Sequence, residues 1–193
     1  VRRRGQVFAG LAALDAVLAV TGRDRARRVT KPLLMPTLLL GRDRPTQRAL
    51  ALGGLGDVAL LGEGPAAFTL GLGSFLAGHV AWLVALRPHA RGAVSEHPLR
   101  AAPYLLAWAG LNAYLWPRTG RDRVPVLVYS TALLATALAA ADTGDPAVAA
   151  GGALFLVSDA LLALERFGEV HLPAHEAIVM GTYTGAQALL AQV

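Results

Sequence analysis

Charge is bunched along this chain, and the bunching constrains its fold more than any other feature. Arg2 to Arg4, Arg23 to Lys31, Arg42 to Arg48 and Arg118 to Arg123 are separated by long, nearly uncharged runs of Leu, Ala, Val and Gly. Apolar runs bounded by basic clusters are the layout of a polytopic membrane protein. Composition agrees: 54% of the 193 residues are hydrophobic and only 16% charged, whereas soluble domains carry charge on about a quarter of their residues. The net charge of +5 does not point to nucleic acid, because the arginines fill short gaps between apolar runs instead of lining one face of a soluble element. They read as anchors at lipid headgroups.

Reading the runs between charge clusters, Gly and Pro predicts an all-α bundle of eight transmembrane helices forming one domain over residues 1–193. The helices are expected at about 5–20, 29–40, 48–61, 65–87, 99–116, 124–141, 146–164 and 173–193. The second and third are shorter than the ~20 residues that cross a hydrocarbon core of about 30 Å, so snorkelling arginines or a thinned bilayer must help them. Short connections make consecutive helices antiparallel neighbours. The N-terminal Val1-Arg2-Arg3-Arg4 and the apolar run after it have a leader-like pattern. Asp15 within that run, and the lack of a clean cleavage site, favour a retained first helix. Basic residues divide evenly between the two ends of the bundle and set no orientation. Lys31 is the only lysine among 18 basic residues, a usage typical of GC-rich bacterial genomes, so a bacterial inner (cytoplasmic) membrane is the expected location.

Polar residues inside the apolar runs mark the chemistry. Asp15, Asp57, Asn112 and Asp159 lie near the ends of the first, third, fifth and seventh helices. At 1.5 Å per residue they share a depth of roughly 6–8 Å inside one edge of the apolar layer. Lys31, expected to open the second helix, and Tyr129 with Ser130 in the sixth enter the same layer. A polar pocket opening to that end, with Asp57 and Asp159 facing one cavity, is therefore expected. An Asp or Lys near a helix centre costs about 2.5–3.5 kcal/mol on insertion scales, and such residues normally face the bundle interior. Asp57 and Asp159 have no basic residue within a turn or two along their own helices, which favours a functional role. Asp15 reads equally as an ion-pair partner of the arginines from Arg23 to Arg28, and Asn112 equally as interhelical glue.

Other chemistries lack support. Cys is absent, which excludes disulfides, thiolate metal sites and a cysteine nucleophile. Ser74, Ser130 and Ser158 lack a G-x-S-x-G elbow, and there is no P-loop or dinucleotide fingerprint. His171 and His175 have i,i+4 spacing, but Pro173 between them argues against a metal site. No metal or other cofactor is expected. His79, among Gly71, Ser74 and Gly78, reads equally as a packed histidine and as a site residue.

Several segments together resemble the YhhN-like integral membrane proteins, whose characterised members are lysoplasmalogenases. They are Lys31-Pro32-Leu33, Gly56-Asp57-Val58-Ala59-Leu60-Leu61, Phe68 to Gly71, Ser74-Phe75-Leu76-Ala77-Gly78-His79-Val80, Val128-Tyr129-Ser130, Gly152 to Ala160, and Thr182-Tyr183 with Gln187. The resemblance covers about residues 30–190. It implies hydrolysis of the vinyl ether of a lysoplasmalogen to a fatty aldehyde and glycerophospho-ethanolamine or glycerophospho-choline. That reaction protonates carbon and builds an oxocarbenium ion. Asp57 and Asp159 suit it as the pair of catalytic acid and stabilising anion, in either assignment, because two carboxyls in a low-dielectric site can share one proton. Lys31 is expected to meet the phosphate of the lysophospholipid. Tyr129, Ser130, Tyr183 and His79 would orient water or glycerol, with Ser74, Ser158 and Asn112 supporting. Expected partners are this lysolipid and membrane lipids, with no nucleic acid. Two other readings stay open: a small proton-coupled carrier, since paired intramembrane acids also relay protons, and a non-enzymatic lipid-binding membrane protein.

Overall fold

The computed structural model describes the backbone of residues 2–193 and every side chain in that range except those of residues 2–4 and 24. Eight α-helices fill it: α1 (Arg2–Val20), α2 (Asp24–Leu39), α3 (Arg44–Ala59), α4 (Gly64–Leu86), α5 (Ala102–Leu115), α6 (Arg123–Asp142), α7 (Pro146–Gly168) and α8 (His175–Leu190). No strand occurs among the described residues.

Local signals set several ends. Asp145 caps α7 by accepting hydrogen bonds from the backbone N–H groups of Ala147 (2.8 Å) and Val148 (3.2 Å), with Pro146 in the first turn. Asp43 likewise accepts from Thr46 N–H ahead of α3. Several expected boundaries move, with α3 starting at Arg44 and α7 running on to Gly168. The arginine-rich segment before Lys31 is helical, so α2 begins at Asp24 instead of near 29, and Lys31 lies about two turns inside it. At α5, Pro98–Ala101 forms a 3₁₀ turn first, leaving a helix of only 14 residues.

Eight helices are present as expected, but among the described residues not all have the length and apolarity of a membrane span. Three segments are long and apolar enough to cross a membrane: Gly64–His89, Gly120–Asp142 and Pro146–Gly168. Helices α2, α3 and α8 have 16 residues each. At 1.5 Å per residue that is about 24 Å, short of the hydrocarbon thickness. α1 has an apolar part of only Gly5–Val20.

Seven helices close a ring in the order α1, α2, α3, α4, α6, α7, α8 and back to α1, and α5 stands outside it against α6 and α7. Small residues bring the tightest pairs together. A Cβ on Gly151 of α7 would fall 2.9 Å from the backbone nitrogen of Leu190 in α8. Ser74 of α4 donates to the Leu52 carbonyl of α3 (2.7 Å), and Ser158 of α7 donates to the Val179 carbonyl of α8 (3.1 Å). The core between these helices includes Leu34, Met35, Leu50, Trp82, Leu86, Phe155 and Leu190. Outward faces stay apolar, with Val17, Leu70, Val84, Leu106 and Val157 all exposed.

The connection between α4 and α5, residues 87–101, is the longest in the chain. It folds onto the far end of α6, where the Asp142 carbonyl accepts from Arg91 N–H and the Asp142 carboxylate accepts from Val94 N–H (2.8 Å). α4 and α5 scarcely touch each other.

Candidate active site

Inside the ring, a row of aromatic side chains joins the two acids. Asp159 on α7 accepts a short hydrogen bond from the Tyr129 hydroxyl on α6. Behind Tyr129, His79 on α4 places Nε2 3.3 Å from the Tyr129 oxygen and 4.0 Å from Asp159 Oδ2. The imidazole packs on Phe155, with centroids 4.7 Å apart, and Phe155 packs on Tyr183 at 5.6 Å. Tyr183 on α8 then donates to Asp57 Oδ2 on α3 (2.9 Å), and Lys31 Nζ on α2 stands 3.7 Å from Asp57 Oδ1. Asp57 and His79 are almost fully enclosed, at 2% and 1% exposure. Six of the seven ring helices, all but α1, thus contribute one residue or more to a continuous array.

Two supporting contacts involve residues outside the expected set. Thr136 Oγ1 lies 3.2 Å from His79 Nδ1 and fixes the plane of the imidazole. Trp82 donates from Nε1 to Gln187 Oε1 (3.2 Å), linking α4 to α8 one turn from His79 and Tyr183. The sequence signal for both is a polar-capable side chain in an otherwise apolar helix.

The remaining expected residues divide. Ser130 Oγ lies 3.1 Å from Asn112 Oδ1 and accepts from Trp108 Nε1 (3.2 Å), so Asn112 and Ser130 tie α5 to α6 beside the site. Ser74 and Ser158 stand apart, each committed to a backbone carbonyl. Asp15 is fully buried, accepts from Thr30 Oγ1 (2.6 Å) and faces Arg27 Nε at 3.7 Å. It therefore pins α1 to α2 and lies outside the aromatic array. Arg27 also pairs with Glu176, and His175 Nε2 is 2.8 Å from Glu165 Oε2. Among the described residues no group of three or more His, Cys, Asp or Glu could hold a metal ion.

Two adjoining cavities lie beside the array. The inner one, about 80 Å³, is lined by apolar side chains of α4, α5, α6 and α7 and holds Asp159, Tyr129, Ser130 and Asn112 in its wall. The outer one, about 560 Å³, carries Arg27, Lys31, Glu165, Arg166, His175 and Glu176. Leu60, Phe68, Leu162 and Arg166 border both. The expected single cavity for both acids is thus replaced by an asymmetric arrangement: Asp159 borders the inner cavity, and Asp57 lies outside it at the other end of the aromatic row. Helix ends explain the difference. α7 runs on to Gly168, so Asp159 sits deeper from its helix end than Asp57 does from Ala59.

Comparison with known proteins bears on this arrangement. The model of the YhhN family matches residues 26–193, which include every member of the array. The chain belongs to the YhhN family. Among curated proteins, a Lysoplasmalogenase of Mycobacterium bovis and one of Mycobacterium tuberculosis are each 37% identical over 107 residues. Those matches cover 52% of this chain, and the chain spans only 41% of the length of these relatives. No solved structure is significantly similar to this YhhN-family chain. α1, which lies wholly before the family match, places Asp15 outside the array.

Proposed function

We propose that this YhhN-family chain is an integral membrane hydrolase of lysolipids that cleaves the vinyl ether of a lysoplasmalogen. Its eight helices would all cross the bilayer, the short ones with snorkelling arginines, in a bacterial inner membrane. The observation that carries the reading is Asp159: a carboxyl, hydrogen-bonded by Tyr129, in the wall of an apolar cavity that continues into a charged vestibule. A single-chain ether phospholipid has the matching order of parts, with an apolar chain, then the vinyl ether, then a charged headgroup. The relatives named Lysoplasmalogenase support the same substrate class.

The chemistry follows from the two different carboxyl environments. Asp159, in its protonated form, gives its proton to the vinyl carbon distal to the ether oxygen, and the C=C electron pair forms the new C–H bond. The resulting oxocarbenium ion is attacked by water, whose proton returns to the Asp159 carboxylate. The hemiacetal then collapses. Its hydroxyl proton is lost, the C–O bond to glycerol breaks, the glycerol oxygen takes up a proton, and a fatty aldehyde is left. Atoms balance with one water consumed and no cofactor. Tyr129 and His79, in contact with Asp159, hold the proton between steps. Asp57, held by Lys31 and Tyr183, supplies a fixed negative charge at the far end of the array that opposes the positive charge developing on substrate. Release of fatty aldehyde from lysoplasmalogen by the purified protein tests the proposal.

A further inference from the structure

Lys31, the cation expected to meet a lipid phosphate, borders the outer cavity with its ammonium 3.7 Å from Asp57 Oδ1. That leaves open which group receives the anionic part of a ligand and by which route its chain reaches the inner cavity. Arg166 on α7 has the required placement. It borders both cavities, and its side chain has no carboxylate within 4.0 Å and no hydrogen-bond acceptor among the described residues. Its guanidinium lies over the ring of Phe68, 3.6 Å from the centroid, with Phe167 at 5.5 Å. Stacking fixes the plane and leaves the N–H edges turned outward, a presentation suited to two oxygens of one phosphate. The other vestibule cations are engaged, Arg27 with Glu176 and Lys31 with Asp57, and Glu165 lies against His175 Nε2. Arg27 and Lys31 therefore already face carboxylates, and Arg166 does not.

The apolar cavity next to it has a gap in its wall. Phe68, Leu72 and Phe75 of α4 form one side and Leu111 and Leu115 of α5 the other. These helices scarcely touch, because α5 stands outside the ring and the 15-residue connection from 87 to 101 lets them separate. At about 80 Å³ the inner cavity is too small to enclose a long alkyl chain, so the chain must extend out of it. Away from the cavity, the outer faces of α4 and α5 are apolar and exposed, at Leu70 and Leu106 for example.

We propose that the α4–α5 cleft is a lateral binding groove for the chain of a single-chain phospholipid, with Arg166 clamping its phosphate at the junction of the two cavities. The groove would place the first two chain carbons, those of the vinyl ether, beside Asp159. This deepens the proposed function and rests on it for the reacting bond, but the binding it describes does not require turnover.

The test uses two lipids that no vinyl ether chemistry can cleave, radiolabelled 1-O-hexadecyl-lysophosphatidylcholine and 1-O-hexadecylglycerol. They share a chain and differ in the phosphate. Binding is measured on purified protein in nanodiscs for wild type, Arg166→Gln, Arg166→Lys and Leu111→Trp, with thermal unfolding as the folding control. Wild type should prefer the phospholipid. Arg166→Gln should weaken phospholipid binding about tenfold and leave hexadecylglycerol unchanged, with Arg166→Lys intermediate. Leu111→Trp should weaken both lipids alike. Equal binding of the phospholipid by wild type and Arg166→Gln overturns the clamp, and unchanged binding by folded Leu111→Trp overturns the groove. No binding of either lipid by wild type overturns both. Binding as described without aldehyde release from lysoplasmalogen would leave the groove standing and count against the hydrolase alone.

Discussion

The Lys31 ammonium stands 3.7 Å from the Asp57 carboxylate, joining α2 to α3 across the interior face of the bundle. Each residue taken alone is costly in an apolar helix, and facing one another they offset part of that cost. The pair also explains why the single lysine of the chain sits where it does: a compact ammonium on a flexible stem fits beside Asp57 without the fork of an arginine.

Removing one partner should be worse than removing both. Lys31→Met leaves a carboxylate buried without its cation and should cost on the order of 3 kcal/mol, whereas Lys31→Met with Asp57→Asn should recover most of that loss. Thermal unfolding of the two singles and the double in one detergent measures the coupling. A Lys31→Met protein as stable as wild type would mean that the lysine faces headgroups and not Asp57.

Thr136 should act through His79. Thr136→Val removes the oxygen 3.2 Å from Nδ1 and frees the imidazole to tilt away from Tyr129 and Asp159. Turnover should fall about fivefold to tenfold at unchanged KM, and Thr136→Ser should restore it. Equal loss in the Ser and Val variants would point to packing instead of the hydroxyl.

Helix existence was legible in the sequence because apolar runs and charge clusters mark segments that need no partner to be recognised. Even so, the arginines at Arg25 to Arg28 entered α2 instead of preceding it, since an arginine-rich turn is as good a helix as an apolar one. The depth of the polar residues was legible only in part, because counting along a helix gives height from its end, and α7 ends beyond the expected residue. Their azimuth was not legible. Helices α4, α5 and α6 are apolar around their whole circumference, so periodicity does not say which face turns inward. The contacts that define the array, Tyr183 to Asp57 across 126 positions and Tyr129 to Asp159 across 30, depend on the rotation of each helix in the ring. Asp15 shows the opposite case, since its partner Arg27 lay in the nearest charge cluster along the chain.

The short helices make a sharp topological prediction. If all eight cross the bilayer, single cysteines at Arg28, Glu63 and Arg121 should label from one side and those at Arg44 and Glu96 from the other. The background contains no cysteine. Impermeant maleimide on right-side-out and inverted vesicles distinguishes the two sets. Labelling of Arg121→Cys together with Glu96→Cys would show that the 14-residue α5 does not cross.

The central claim is that Asp159 and Asp57 act on one substrate from the two ends of the aromatic row. Aldehyde release from a lysoplasmalogen by purified protein, for wild type, Asp159→Asn, Asp57→Asn and the double variant, tests it most directly, with thermal unfolding showing which variants fold. The account predicts aldehyde from wild type, loss of at least about 99% of turnover in each folded single variant, and a double variant scarcely worse than either. No aldehyde from folded wild type, or near-normal release by either folded single variant, would contradict it.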